Sequence, residues 1–167
     1  MKKTILLAML LAAVAGFGAV IEEETLELGL QGNLDFDSPD GDVEFMVYPS
    51  LGYFFMDNIQ AGGMLGMVYD GRDMGYRFGG FGEINFDTYN AVMPFLAARV
   101  MFDFGSLYDK NYLLLDTAAG LKFFISETLA ISTEIFYDLA SEDAFADDDE
   151  GGRNNDAGLR LGLRHYF

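Results

Sequence analysis

From Leu159 to Phe167 the chain reads LRLGLRHYF, and its side chains divide between two faces without a break. Leu159, Leu161, Leu163, His165 and Phe167 fall on one face, and Gly158, Arg160, Gly162, Arg164 and Tyr166 on the other. Successive side chains of a strand point to opposite sides, so leucines and arginines separate this way only where the two sides meet different surroundings. Seven segments upstream repeat the division. A sheet with one greasy and one polar face is therefore the constraint any fold must satisfy.

The first segment, about Thr25 to Asp37, sets Leu26, Leu28, Leu30, Leu34 and Phe36 against Glu27, Gly29, Gln31, Asn33 and Asp35. The second, about Asp42 to Phe55, opposes Val43, Phe45, Val47, Leu51, Tyr53 and Phe55 to Glu44, Met46, Tyr48, Ser50 and Gly52. A third, about Ile59 to Tyr69, is rich in Gly and Met and alternates less clearly. The fourth, about Gly75 to Phe86, carries Arg77, Phe81 and Glu83 on its polar face, and the fifth, about Val92 to Phe104, carries Phe95, Arg99, Met101 and Asp103. In the sixth, about Tyr112 to Ile125, and the seventh, about Leu129 to Ala140, the polar faces hold Asp116, Lys122, Glu134 and Asp138. Leu159 to Phe167 is the eighth.

Composition narrows the possibilities further. The chain has no cysteine, which removes disulfides, thiolate metal sites and cysteine nucleophiles. A net charge of −17 without a basic patch excludes nucleic acid as a partner. Hydrophobic residues reach 51%. Past the leader, however, no apolar run approaches the ~20 residues of a spanning helix. Residues 1–19 read as a secretory signal peptide: Lys2 and Lys3 begin it, Ile5 to Leu11 form its apolar core, and Ala13-Val14-Ala15 or a site after Ala19 ends it. Residues 20–167 then form one domain.

The connections also alternate. Met56-Asp57-Asn58, Asp87 to Asn90 and Ser126-Glu127-Thr128 are short, whereas Ser38 to Gly41, Asp70 to Asp73, Gly105 to Asn111 and Ser141 to Asp156 are more often long or charged. Tight turns at one end and larger loops at the other are expected of exported barrels. Outside the leader, Arg77, Arg99, Lys122, Arg160 and Arg164 occupy the polar face, and Arg72, Lys110 and Arg153 the connections. A lipocalin-like soluble barrel would turn the apolar face inward, but the interior of eight strands is too small for so many large side chains. Small Gly, Ala and Ser residues on the polar face suit a narrow lumen instead. Aromatics near the segment ends form two candidate girdles: Tyr53, Phe55, Phe86, Tyr89, Phe123 and Phe167 beside the turns, and Tyr69, Tyr76, Phe104 and Tyr137 beside the loops. The expected fold is all-β, an eight-stranded antiparallel up-and-down transmembrane β-barrel.

Two motifs carry a family resemblance. The ending Arg160 to Phe167, with Gly162 and a terminal Phe167, resembles the C-terminal signal read by the bacterial barrel-assembly machinery, although His165 stands where an aromatic or aliphatic residue is usual. Pro49-Ser50-Leu51-Gly52-Tyr53-Phe54-Phe55-Met56-Asp57-Asn58-Ile59 is similar to a hairpin common in small outer-membrane barrel proteins, the OmpA/OmpX-like and "porin family" group. The resemblance implies an integral outer-membrane barrel with both termini periplasmic. It leaves the task open, because that group includes anchors, adhesins and narrow pores.

Candidate functional residues follow from the polar face. Glu27, Glu44, Glu83 and Glu134 are placed to pair with Arg77, Arg99, Lys122, Arg160 and Arg164, either filling the lumen or lining a thin conduit. Ser141 to Asp156 holds seven acidic residues and one Arg, so Asp147, Asp149 and Glu150 are weak metal candidates beside the simpler reading of a solvated loop. His165, the single histidine, lies on the apolar face without an acid or hydroxyl nearby in sequence, which speaks against a lipid-modifying or proteolytic barrel enzyme. The expectation is a non-enzymatic monomer without cofactor, in contact with outer-membrane lipids and lipopolysaccharide. It supports envelope integrity or surface contact through acidic loops, with a narrow channel as the alternative.

Overall fold

The computed structural model describes residues 21–35, 44–69, 71–88, 91–107, 110–142 and 154–167. The segment expected to be a signal peptide, Tyr89 and the acidic candidates Asp147, Asp149 and Glu150 lie outside them, as does the side chain of Glu44. Eight strands follow in chain order: β1 (Leu26–Asp35), β2 (Glu44–Met56), β3 (Ile59–Tyr69), β4 (Met74–Asn85), β5 (Val92–Gly105), β6 (Tyr112–Phe124), β7 (Leu129–Ala140) and β8 (Asn155–Tyr166). Each pairs antiparallel with its sequence neighbours, and β8 returns to β1, closing a barrel. With ten to fourteen residues, the strands meet the ~9–11 residues that a tilted membrane-spanning strand needs.

Register shows why alternation is so strict. At the closing seam Glu27 stands opposite Tyr166 and Leu28 opposite His165, and the backbones of Leu26 and Phe167 exchange hydrogen bonds of 2.9 and 3.0 Å. A slip of one residue would turn every arginine of β8 outward. Within the strands, no described Asp, Glu, Lys or Arg side chain is exposed, whereas twenty-seven described large apolar side chains are. Ile135, Leu159, Leu161 and Leu65 expose more than three-fifths of their surface. This is a barrel with its greasy face outward.

The described girdle residues follow the same rule: Tyr53, Phe55, Phe86 and Phe167 are exposed beside the turns, and Tyr69, Tyr76, Phe104 and Tyr137 beside the loops. Phe123 is half-buried.

Two expectations need correction. The eighth strand begins at Asn155 rather than Leu159, because Asn155, Asp156 and Ala157 pair with Leu139, Asp138 and Tyr137 of β7. The lumen is also less uniformly small than its Gly, Ala and Ser suggest. Phe54, Phe95, Phe124, Phe136, Tyr48 and Tyr166 are all buried within it. Glycines on neighbouring strands make the room: a Cβ on Gly120 would come within 2.6 Å of the Phe95 ring, one on Gly158 within 2.8 Å of Phe136, and one on Gly66 within 2.7 Å of Tyr48.

Candidate functional site

The inward side chains form three tiers along the barrel. Nearest the turns, the Lys122 ammonium donates to Glu27 at 2.8 Å and to Glu83 at 2.6 Å. Gln60 adds hydrogen bonds to the same carboxylates at 3.0 and 2.7 Å, Asn85 donates to Glu83 at 3.2 Å, and Arg164 donates to Glu27. Lys122 has no exposed surface. Its ammonium lies between 5.5 and 5.9 Å from the ring centres of Phe54, Phe95 and Tyr166, within cation–π range.

The middle tier is a closed ring of four charges. Arg99 donates to Asp116 at 2.6 Å and Glu134 at 2.7 Å, and Arg160 donates to Glu134 at 2.7 Å and Asp116 at 2.8 Å. Each guanidinium spans two carboxylates and each carboxylate receives two guanidiniums. Planar guanidinium suits this bridging, because its N–H groups diverge in a fixed fork. Gln31 reaches in from β1 to donate to Glu134 at 3.0 Å, and the Arg160 guanidinium sits 4.0 Å from the Phe136 ring centre.

Toward the loops, Arg77 grips Asp103 with two hydrogen bonds of 2.6 and 2.5 Å and donates to the Tyr48 hydroxyl at 3.4 Å. Tyr48 in turn donates to the Met46 sulfur at 3.1 Å. Asp138 is the looser member, 4.0 Å from Arg160. Among the described residues the buried charges are Glu27, Glu83, Asp103, Asp116, Glu134 and Asp138 against Arg77, Arg99, Lys122, Arg160 and Arg164, six against five. An interior so nearly neutral avoids the repulsion that the chain's overall −17 would suggest.

Apolar layers lie at both ends of this network. At the turn end Ile21, Phe54, Ala91, Met93, Phe124, Ala130 and Tyr166 form one cluster. At the loop end Tyr48, Met64, Met101, Tyr112, Leu114 and Ala140 form another.

The structure therefore brings together eight of the nine residues expected in the lumen, and of Glu44 it places only the backbone, opposite Asp35. Asp103, Asp116 and Asp138 stood on the polar face in the sequence but had no partners assigned there. Their partners follow from register, since Arg99 sits opposite Asp116 and Arg77 opposite Asp103. Phe54 and Phe124 were missed altogether. Parity could have found them, because Phe54 shares the phase of Ser50 and Gly52, and Phe124 that of Lys122.

His165 faces outward, its ring 5.1 Å from that of Phe167. Among the described residues no group of three or more acidic or histidine side chains is arranged to hold a metal ion.

A closed all-antiparallel cylinder with apolar exterior and charged interior defines the class: an eight-stranded transmembrane β-barrel. No protein-family description matches the sequence, and no curated protein matches it either. Among solved structures it is similar to the N-terminal β-barrel domain of Pseudomonas aeruginosa OprF, with a TM-score of 0.64 and 16% identity over 88% of this chain and 100% of that one. It is similar also to Neisserial surface protein A, NspA, at a TM-score of 0.61 and 16% identity over 86% of this chain and 96% of that one. A de novo designed transmembrane β-barrel aligns with a TM-score of 0.59 and 13% identity over 89% of this chain and 99% of the design. The fold is thus that of small outer-membrane barrels.

Proposed function

We propose that this chain is an integral outer-membrane protein whose lumen is shut by its own charge network, and that it serves the envelope as a monomeric, non-enzymatic barrel. The observation that carries the reading is the ring of Arg99, Asp116, Arg160 and Glu134, with hydrogen bonds of 2.6–2.8 Å across the barrel. A solute passing that level would have to separate at least one buried ion pair, and removing one partner of such a pair costs ~3–5 kcal/mol. Apolar layers above and below add a second obstacle.

The loop end then supplies the surface that meets other molecules. Its connections are acidic in sequence, Ser141 to Asp156 most of all, which suits contact with lipopolysaccharide bridged by divalent cations. Recognition of the Gly162 and Phe167 ending by the barrel-assembly machinery accounts for insertion. Outward placement of His165 beside Phe167 favours a non-catalytic part for that residue.

Planar-bilayer recording of refolded protein tests the lumen. Silent membranes are expected, and steady unitary currents would establish the narrow-channel alternative in its place. Fractionation of producing cells tests location, with the protein expected in the outer membrane and a heat-modifiable gel mobility expected of its folded form.

A further inference from the structure

The segment leading into β1 does not leave the barrel directly. It runs beneath the turn end and is tied there by its backbone. Ile21 N–H donates to the Asn58 side-chain oxygen at 3.3 Å, and Asn58 N–H returns a hydrogen bond to the Ile21 carbonyl at 3.0 Å. Glu23 N–H donates to Asp57 at 2.9 Å, and Glu24 N–H to the Phe54 carbonyl at 2.8 Å. Both ends of this clasp hold left-handed backbone, at φ 62° for Asn58 and 69° for Glu24. Asn visits that region readily but Glu does not, so Glu24 is held there by its surroundings.

Burial separates Ile21 from its neighbours. Glu22, Glu23 and Glu24 are exposed, while Ile21 keeps only 4% of its surface. Its side chain joins Phe54, Ala91, Met93, Phe124, Ala130 and Tyr166, the layer immediately beneath Lys122. A barrel end formed only by turns would leave these rings facing water.

We propose that Ile21, clasped to the Asp57–Asn58 turn, is a built-in stopper of the turn-end mouth. It excludes water from the Lys122, Glu27 and Glu83 site, and trimming or displacement of the segment opens an apolar cup with a cation at its base. The stopper is independent of the ion-pair ring higher in the lumen, so either can fail without the other.

Thiol access measures it without recourse to conductance. The chain has no cysteine, so Ala130→Cys places a single thiol inside the mouth, where Ala130 has no exposed surface. In the otherwise unaltered barrel a small charged methanethiosulfonate reagent is expected to label it slowly. Adding Ile21→Gly removes the buried side chain, and adding Asn58→Gly removes the side-chain clasp while tolerating the positive φ. Each is expected to accelerate labelling by about tenfold or more, with folded gel mobility retained. Unchanged rates in both variants, or rapid labelling before either is made, would overturn the stopper. Hydrogen exchange in the unmodified protein provides a check that needs no variant: the Asn58 amide is expected to be protected, and exchange at the rate of a free turn counts equally against the proposal.

Discussion

Lys122 shows what one residue does here. Among the described residues it is the only lysine in a strand, and it sits between two carboxylates that would otherwise face each other across the lumen. Replacing it with Met keeps the bulk of the stem but leaves Glu27 and Glu83 short of a cation in a buried site. Lys122→Met is therefore expected to destabilise the folded barrel by ~3–5 kcal/mol. A lowered urea midpoint in lipid vesicles, followed by gel mobility, would measure the loss. Adding Glu83→Gln removes one of the stranded charges and is expected to restore part of the stability, which a simple packing defect at position 122 would not allow. Gly120 offers the complementary case, packing without charge. Its missing side chain leaves space for the Phe95 ring, and a Cβ there would lie 2.4 Å from the Thr133 carbonyl oxygen. Gly120→Ala should cost ~1–3 kcal/mol in the same assay. Phe95→Leu, which withdraws the ring edge, should reduce that penalty in a double-mutant cycle.

At the level of strands, the sequence carried nearly everything that alternation can encode. β7 occupies its expected span, 129–140, because its polar and apolar residues keep phase up to a turn, and β3, though its Gly- and Met-rich sequence alternates weakly, occupies 59–69 because turn residues bound it on both sides. β8 was cut short for a physical reason. Its first residues, Asn155 and Asp156, lie near the loop end and are polar on both faces, so composition resembles the loop before it. Pairing, which put Asp156 beside Asp138, is invisible to a single-strand reading. Parity alone places Tyr48, Phe95 and Tyr166 inward, and could have done so for Phe54 and Phe124, but the glycines that make room for such rings, Gly66 for Tyr48 and Gly120 for Phe95, lie on neighbouring strands and emerge only with register. Register also distinguishes the two halves of β8. Leu161 to His165 pair with β1 as well as β7 and Tyr166 with β1, whereas the residues from Asn155 to Arg160 pair with β7. Hydrogen exchange should divide the strand accordingly: amides directed toward β1 are expected to exchange faster from Asn155 to Arg160 than from Leu161 to Tyr166. Uniform protection along β8 would mean that β1 and β8 are paired to the loop end.

For the whole molecule, the decisive fact is that the usual arrangement of a water-soluble protein is inverted. Charges from β1, β4, β5, β6, β7 and β8 meet in the centre, and the ion pairs of longest reach among the described residues, Arg164 to Glu27 and Lys122 to Glu27, join residues 137 and 95 positions apart. These contacts tie the first strand to the last and to the middle of the chain, so the interior reports closure of the entire cylinder. The exterior has the opposite task of remaining free of charge wherever acyl chains touch it. Ile135 tests this directly, since it lies near the middle of β7 and exposes 65% of its surface. In a membrane barrel Ile135→Arg puts a guanidinium toward the bilayer midplane and should cost ~2–4 kcal/mol, a penalty that declines toward the interfaces. Leu139→Arg, two outward positions nearer the loops, should therefore cost less. In a barrel surrounded by water neither change would weaken folding, and both would improve solubility. Folding titrations of the two variants into lipid vesicles separate these cases: a clear loss for Ile135→Arg with a smaller one for Leu139→Arg is the depth profile of a bilayer, whereas equal and negligible effects would place the apolar face against something other than lipid.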